Sequence, residues 1–156
     1  MAEAFYSIVL DHPAADVWSV IRPFGHYAWA GVTGNTTIED GKATDQVGAV
    51  RRVELPGRTI RQVLLAHSDI ERSYSYAFVG PPPQKVRDYV ATIKVTPVVD
   101  SGQAFVEWRA TFDALDAGET GHWKQHFEQQ GFAVWLAALR DFMRPQNDRS
   151  YAASSV

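Results

Sequence analysis

Cysteine is absent from the 156 residues of this chain. That absence excludes disulfide staples, thiol nucleophiles and thiolate metal sites, and it leaves the redox compartment open. An excess of positive charge is also missing: 15 Lys and Arg against 18 Asp and Glu give a formal net charge of -3, with no long basic run. Nucleic acid is therefore not an expected partner, since Arg51 and Arg52 make only a local basic pair. No stretch approaches the roughly 20 apolar residues of a membrane span, and the start, MAEAFYSIVL, lacks the basic and apolar regions of a secretory leader. A cytoplasmic protein is expected. Gly31 and Gly34 lack the companions that a phosphate-binding loop requires.

What is present suffices for one core, because 46% of the residues are hydrophobic and 12% aromatic. A single domain is expected over residues 1–145. Residues 146–156 are small and polar apart from Tyr151, and read as a flexible tail.

The longest helical pattern runs over residues 120–143. Trp123, Phe127, Val134, Ala138 and Phe142 recur at helical spacing, and Phe132, Trp135 and Leu139 widen the stripe. Asp116 or Thr120 can cap the start, and Pro145 follows the end. Gly131, in the middle, costs roughly 1 kcal/mol relative to alanine, which points to a bend or to a close approach of another group.

The rest of the chain reads as a surface for that helix. Residues 3–10 form a strand, and Asp11-His12-Pro13 opens a short helix through Val17, Trp18, Val20 and Ile21 that Pro23 stops. A second short helical turn over 25–30 carries His26, Tyr27 and Trp29, which suit packing on a sheet or lining one end of a cavity. Strand patterns then follow at 33–39, 48–54, 59–66, 72–79, 87–95 and 103–112, separated by Gly, Pro and Asp turn signals. Tyr74, Tyr76 and Phe78 share one face of their strand. Val106, Trp108, Ala110 and Phe112 share a face of the last strand, with Glu107, Arg109 and Thr111 opposite, and this pattern favours Trp108 inside. Runs of strands with helices outside them indicate an α+β fold, a long helix covering a curved antiparallel sheet.

The order and the motifs resemble the START-like, helix-grip superfamily, also called SRPBCC, which includes polyketide cyclases, the birch-pollen allergen group and the plant abscisic acid receptors. The segment from Ala15 to Phe24 is similar to its first helix, Val47-Gly48-Ala49-Val50-Arg51 to its VGxxR strand, and Val106-Glu107-Trp108-Arg109-Ala110-Thr111-Phe112 to a strand of bacterial members. The resemblance implies a helix-grip fold: a sheet of about seven strands wrapped around the C-terminal helix, with two short helices after the first strand. Two loops are similar to those of the abscisic acid receptor branch. Glu54-Leu55-Pro56-Gly57-Arg58 stands at the gate and Gln84-Lys85-Val86-Arg87-Asp88-Tyr89 at the latch. By this likeness Arg51, Leu55, Pro56, Lys85 and Tyr89 lie near a cavity entrance, and Phe127, Gly131 and Trp135 line the cavity from the helix. The receptor lysine has no counterpart, since residues 27–37 contain no Lys or Arg; Gln62 or Arg61 stands where a glutamate is expected, and Ala91 replaces a polar residue. Trp108 inside makes the cavity more aromatic than a receptor's.

Plain readings are preferred for two tempting clusters. His122 and His126 have metal-ligand spacing, but Trp123 stands where a zinc protease helix needs glutamate, so solvated histidines and no metal are expected. His67, Ser68 and Asp69 are adjacent on one strand and point to alternating faces, so they read as a turn. Tyr89, with Gln62 and Arg51, is the candidate polar group of the cavity. The expected ligand-binding set is Arg51, Leu55, Pro56, Gln62, Tyr89, Trp108, Phe127, Gly131 and Trp135, with no cofactor. The expected partner is a small hydrophobic molecule, and a homodimer is left open. Three functions follow from such a cavity: a carrier, a cyclase or dehydratase in which Tyr89 polarises a carbonyl, or an interaction module gated by ligand.

Overall fold

The computed structural model describes residues 1–145. The expected tail, 146–156, lies outside the described residues. Strand β1 (Ala2–Leu10) leads through helix α1 (Ala14–Ile21) and a 3-10 turn (Ala28–Ala30) to the short strand β2 (Asn35–Ile38). Five strands follow in succession: β3 (Val50–Leu55), β4 (Arg58–Ser68), β5 (Ser73–Phe78), β6 (Val86–Val98) and β7 (Gln103–Ala114). All neighbours are antiparallel, in the order β1-β7-β6-β5-β4-β3-β2. The β1–β7 pairing joins the first strand to the last, so the meander is laid down from β2 to β7 and β1 completes its far edge. Bulges between Leu64 and Ala66 in β4, and between Arg87 and Val90 in β6, bend the sheet. Gly34 is required beside β2, because a Cβ there would sit 2.1 Å from the Glu54 carbonyl oxygen.

The long helix is continuous but not uniform. Helix α2 (Thr120–Gln125) passes into a π-helical segment (His126–Phe132) and then into α3 (Ala133–Phe142). Asp116 accepts a hydrogen bond from the Gly118 amide at 2.9 Å in the 3-10 turn that leads into α2, so the cap precedes the helix proper. The π segment explains why the buried stripe departs from the expected one. One extra residue in a turn rotates everything downstream by about 100°. Trp135 and Leu139 of the expected stripe face inward and Leu136 and Met143 join them, whereas Val134, 54% exposed, and Phe142 turn outward and Ala138 stays half-buried.

Together α2 and the π segment tie down the β1 edge of the sheet. Glu128 accepts from the Phe5 amide at 2.8 Å, and Lys124 donates to the Glu3 carbonyl at 3.0 Å. Backbone groups that a free edge strand would offer to another chain are thereby occupied. Trp108 is fully buried, whereas Glu107 lies on the outer face and accepts from Arg109 at 2.8 Å. The register with Trp108 inside is the one adopted. Among the described residues no helix is long and apolar enough to cross a membrane.

Candidate functional site

Where the sheet opens away from the helix, a cavity of about 270 Å³ remains. Its wall comes from four directions: Tyr27 and the segment Gly31, Val32, Thr33; Val53, Leu55, Arg58, Ile60 and Gln62 from β3 and β4; Phe78, Pro83 and Gln84 beyond β5; and Trp135 from α3. Alternation places these strand residues on one face, Val53 with Leu55 and Ile60 with Gln62. The wall is mostly apolar, and among the described residues no Asp, Glu, His or Lys lines it.

Behind Gln62 lies Arg51, its directly opposed partner across β3 and β4, fully buried. Arg51 donates from Nε and Nη2 to Gln62 Oε1 at 3.0 and 2.5 Å, and from Nη1 to the Phe24 carbonyl at 3.4 Å. Its guanidinium carbon stands 4.1 Å from the Phe24 ring centroid, 3.8 Å from that of Tyr27 and 5.1 Å from that of Tyr76. Arg51 makes no salt bridge among the described residues. Desolvating a cation costs several kcal/mol, and here aromatic faces and two carbonyl-type oxygens offset that cost in place of a carboxylate.

Three acids of the neighbouring segments are engaged elsewhere. Glu54 pairs with Arg52 at 3.3 Å, Asp45 with Arg22 at 2.9 Å, and Glu39 with Arg61 at 2.7 Å. Because a guanidinium only donates, the two bonds from Arg51 fix the Gln62 oxygen toward Arg51 and its Nε2 away from it.

The expected site residues divide into two groups. Leu55, Gln62 and Trp135 line the cavity, and Arg51 supports it from behind. The other five stand outside the wall. Pro56 occupies the exposed β3–β4 turn, one residue beyond the inward-facing Leu55. Tyr89 lies in the β6 bulge and packs between Phe78 and Phe127, with centroids 5.1 and 5.0 Å away, bordering a separate surface depression with Asp88 and Val90. Burial raises its phenol well above the ordinary value, so it is a poor proton donor. Trp108 fills the core against Trp29, Phe132 and Trp135, and its Nε1 donates to the Tyr76 hydroxyl at 3.2 Å. Phe127 packs edge-on to Phe112. Gly131 lies beneath the Trp135 indole, whose Cη2 would be 3.2 Å from an added Cβ. Its lack of a side chain thus seats a wall residue rather than exposing backbone to the cavity.

The stretch similar to a gate meets the cavity through Leu55 and Arg58, and the stretch similar to a latch through Gln84, next to Pro83, while Lys85 is exposed. Tyr27, from the turn expected to pack on the sheet or to line a cavity end, and Gln84, from the stretch similar to a latch, belong to the wall, as do Val53 and Ile60, which were not singled out for it. The period-two pattern of β3 and β4 could have found Val53 and Ile60, whereas Gln84 carries no such signal.

Over residues 1–149 the sequence matches the family described as polyketide cyclase / dehydrase and lipid transport. The chain belongs to this family. No protein of curated function matches it. A solved structure from Nitrosospira multiformis is similar at 27% identity and TM-score 0.76, covering 95% of this chain and 99% of that one. A protein from Thermobifida fusca is similar at 28% identity and TM-score 0.77, covering 90% and 91%. The di-domain ARO/CYC BexL of the BE-7585A biosynthetic pathway shares the fold at 18% identity and TM-score 0.74, with 90% of this chain on 46% of that one. The family thus groups cyclisation chemistry with lipid transport on one fold, and which of these a member does depends on its cavity.

Proposed function

We propose that this protein binds a small, largely apolar molecule in the cavity between α3 and the β3–β4 side of the sheet. The carrying observation is an apolar wall with one immobilised amide, Gln62, held by a buried cation. At about 270 Å³ the space lies just below the usual range for ligand pockets, about 300 to 1,000 Å³, and suits one bicyclic or short-chain compound. Family membership supports the same class of ligand. Binding without turnover is favoured, because the wall offers no carboxylate or imidazole to move a proton.

Native mass spectrometry of the purified protein, followed by denaturing extraction, tests this reading. A stoichiometric apolar compound, or stabilisation by apolar aromatics in a thermal-shift panel, is the expected result. An empty protein that no compound in the panel stabilises overturns it.

A cyclase or dehydratase reading is supported by one observation, the Gln62 amide backed by Arg51, which would stabilise an enolate forming beside it. Turnover of an aromatic polyketone that Gln62→Leu abolishes would favour that reading over a carrier.

A further inference from the structure

The Arg51–Gln62 pair makes the inner end of the cavity one-sided. Gln62 is 6% exposed, and its oxygen is taken by two guanidinium bonds. Its Nε2 has no hydrogen-bond partner among the described residues and is not sealed from the cavity. A free amide can turn to suit either a donor or an acceptor, but this one cannot turn without pointing its NH2 group at a guanidinium. Gln84 differs: its Oε1 is buried without a partner, and nothing pins its orientation, so it can serve either kind of group. Arg58, exposed at the rim, adds a second positive charge with no salt-bridge partner among the described residues.

Resting on the binding role proposed above, we infer that the cavity selects apolar molecules whose inner polar group is a hydrogen-bond acceptor, a ketone or a carboxylate, and rejects amines. Gln62 contacts the ligand. Arg51 is a positioning residue: it fixes the direction of the Gln62 amide and supplies the positive field behind it. An ammonium group would meet donors at Gln62 and cations both behind it and at the rim, with no carboxylate in the wall to receive it.

Four naphthalene probes of similar size test this by calorimetry at pH 7: ethylnaphthalene, methyl naphthyl ketone, naphthoate and the naphthylethylammonium ion. The ketone and naphthoate are expected to bind about tenfold more tightly than ethylnaphthalene, and the ammonium ion more weakly than any of the three. Gln62→Glu keeps the partner of Arg51 but removes the inward donor, so it should abolish the ketone's advantage over ethylnaphthalene. Arg51→Met should free the Gln62 amide and bring ketone and ammonium affinities together, while Arg51→Lys, which still donates to Oε1, should keep them apart. A purely structural Arg51 would lower all four affinities in parallel and leave their ratios unchanged, which would overturn the positioning role. Equal binding of all four probes by the wild type overturns the selectivity and leaves the binding role standing. Binding of none overturns the binding role and the selectivity with it.

Discussion

Arg51 and Gln62 face each other across β3 and β4, and the glutamine oxygen accepts two hydrogen bonds from the buried guanidinium. The pair consequently has a structural cost attached to its role. Gln62→Leu preserves much of the volume but leaves a buried cation without that oxygen. Hydrogen bonds to charged groups contribute about 1.5–3 kcal/mol, and a loss of that size is expected in urea denaturation. A loss below about 0.5 kcal/mol would mean that the aromatic cage alone holds Arg51.

Gly131 and Trp135 link the helix to the cavity wall. Alanine at 131 gains about 1 kcal/mol of helix propensity, against a contact of 3.2 Å with the indole Cη2. Trp135 is only partly buried and borders open space, so the ring can yield toward the cavity. Gly131→Ala is expected to change stability by less than about 1 kcal/mol while weakening apolar ligands severalfold, because the displaced ring occupies their volume. Unchanged affinity by calorimetry would show that the ring moves elsewhere.

Strands and the long helix were legible because alternation and helical spacing are local signals, and they placed Tyr74, Tyr76 and Trp108 on the inward face. The phase of the helix beyond residue 132 was legible only in part: Trp135 and Leu139 face inward as expected, but Leu136 does too and Val134 does not. The rest depends on a π turn, which is tied to β1 by Glu128 accepting from the Phe5 amide, a tertiary contact that no local pattern announces. The same limit explains the site. Period two says that Trp108 points inward, but not that Trp29, Phe132 and Trp135 already fill the space in front of it. Leu55, Gln62 and Trp135 line a true gap, which Gly31, Val32, Thr33, Pro83 and Gln84 border without filling.

A second cluster joins α1 to the β4–β5 turn. Asp69 accepts from Trp18 Nε1 at 3.0 Å, from Arg22 Nε at 2.7 Å and from His67 Nε2 at 3.0 Å, while Ser68 turns aside to accept from the Glu71 amide. The Arg22 bond above all, then that from Trp18, holds the Asp69 carboxyl far below its ordinary value. A depressed folded-state pKa means that the unfolded state binds the proton first. The contribution is therefore complete above about pH 4 and is lost as pH falls toward the depressed value. Asp69→Asn should lower Tm at pH 7, and the two Tm curves should converge as pH drops from 5 to 3. A constant gap across that range would assign the loss to packing.

Alkaline titration reports on the opposite case. Burial raises Tyr74 to about 12, partly offset by the nearby Arg51, and raises Tyr76 and Tyr89 well above their ordinary value. These phenols stay neutral in the folded protein while the unfolded chain ionises them near pH 10. Their contribution is present below that pH and disappears as pH rises through the folded-state values, so stability should fall above about pH 10. Absorbance at the phenolate band should show these three tyrosines silent at pH 11 until the chain unfolds, when they ionise together with loss of structure. Tyr74 adds an internal control. Its buried hydroxyl makes no hydrogen bond of good geometry but stands near enough to the Arg51 cation to feel it, so Tyr74→Phe should cost little at pH 7 and should blunt the alkaline loss. A clear loss at neutral pH would mean that the phenol shares in holding the Arg51 charge, which would tie Tyr74 to the cavity's inner end.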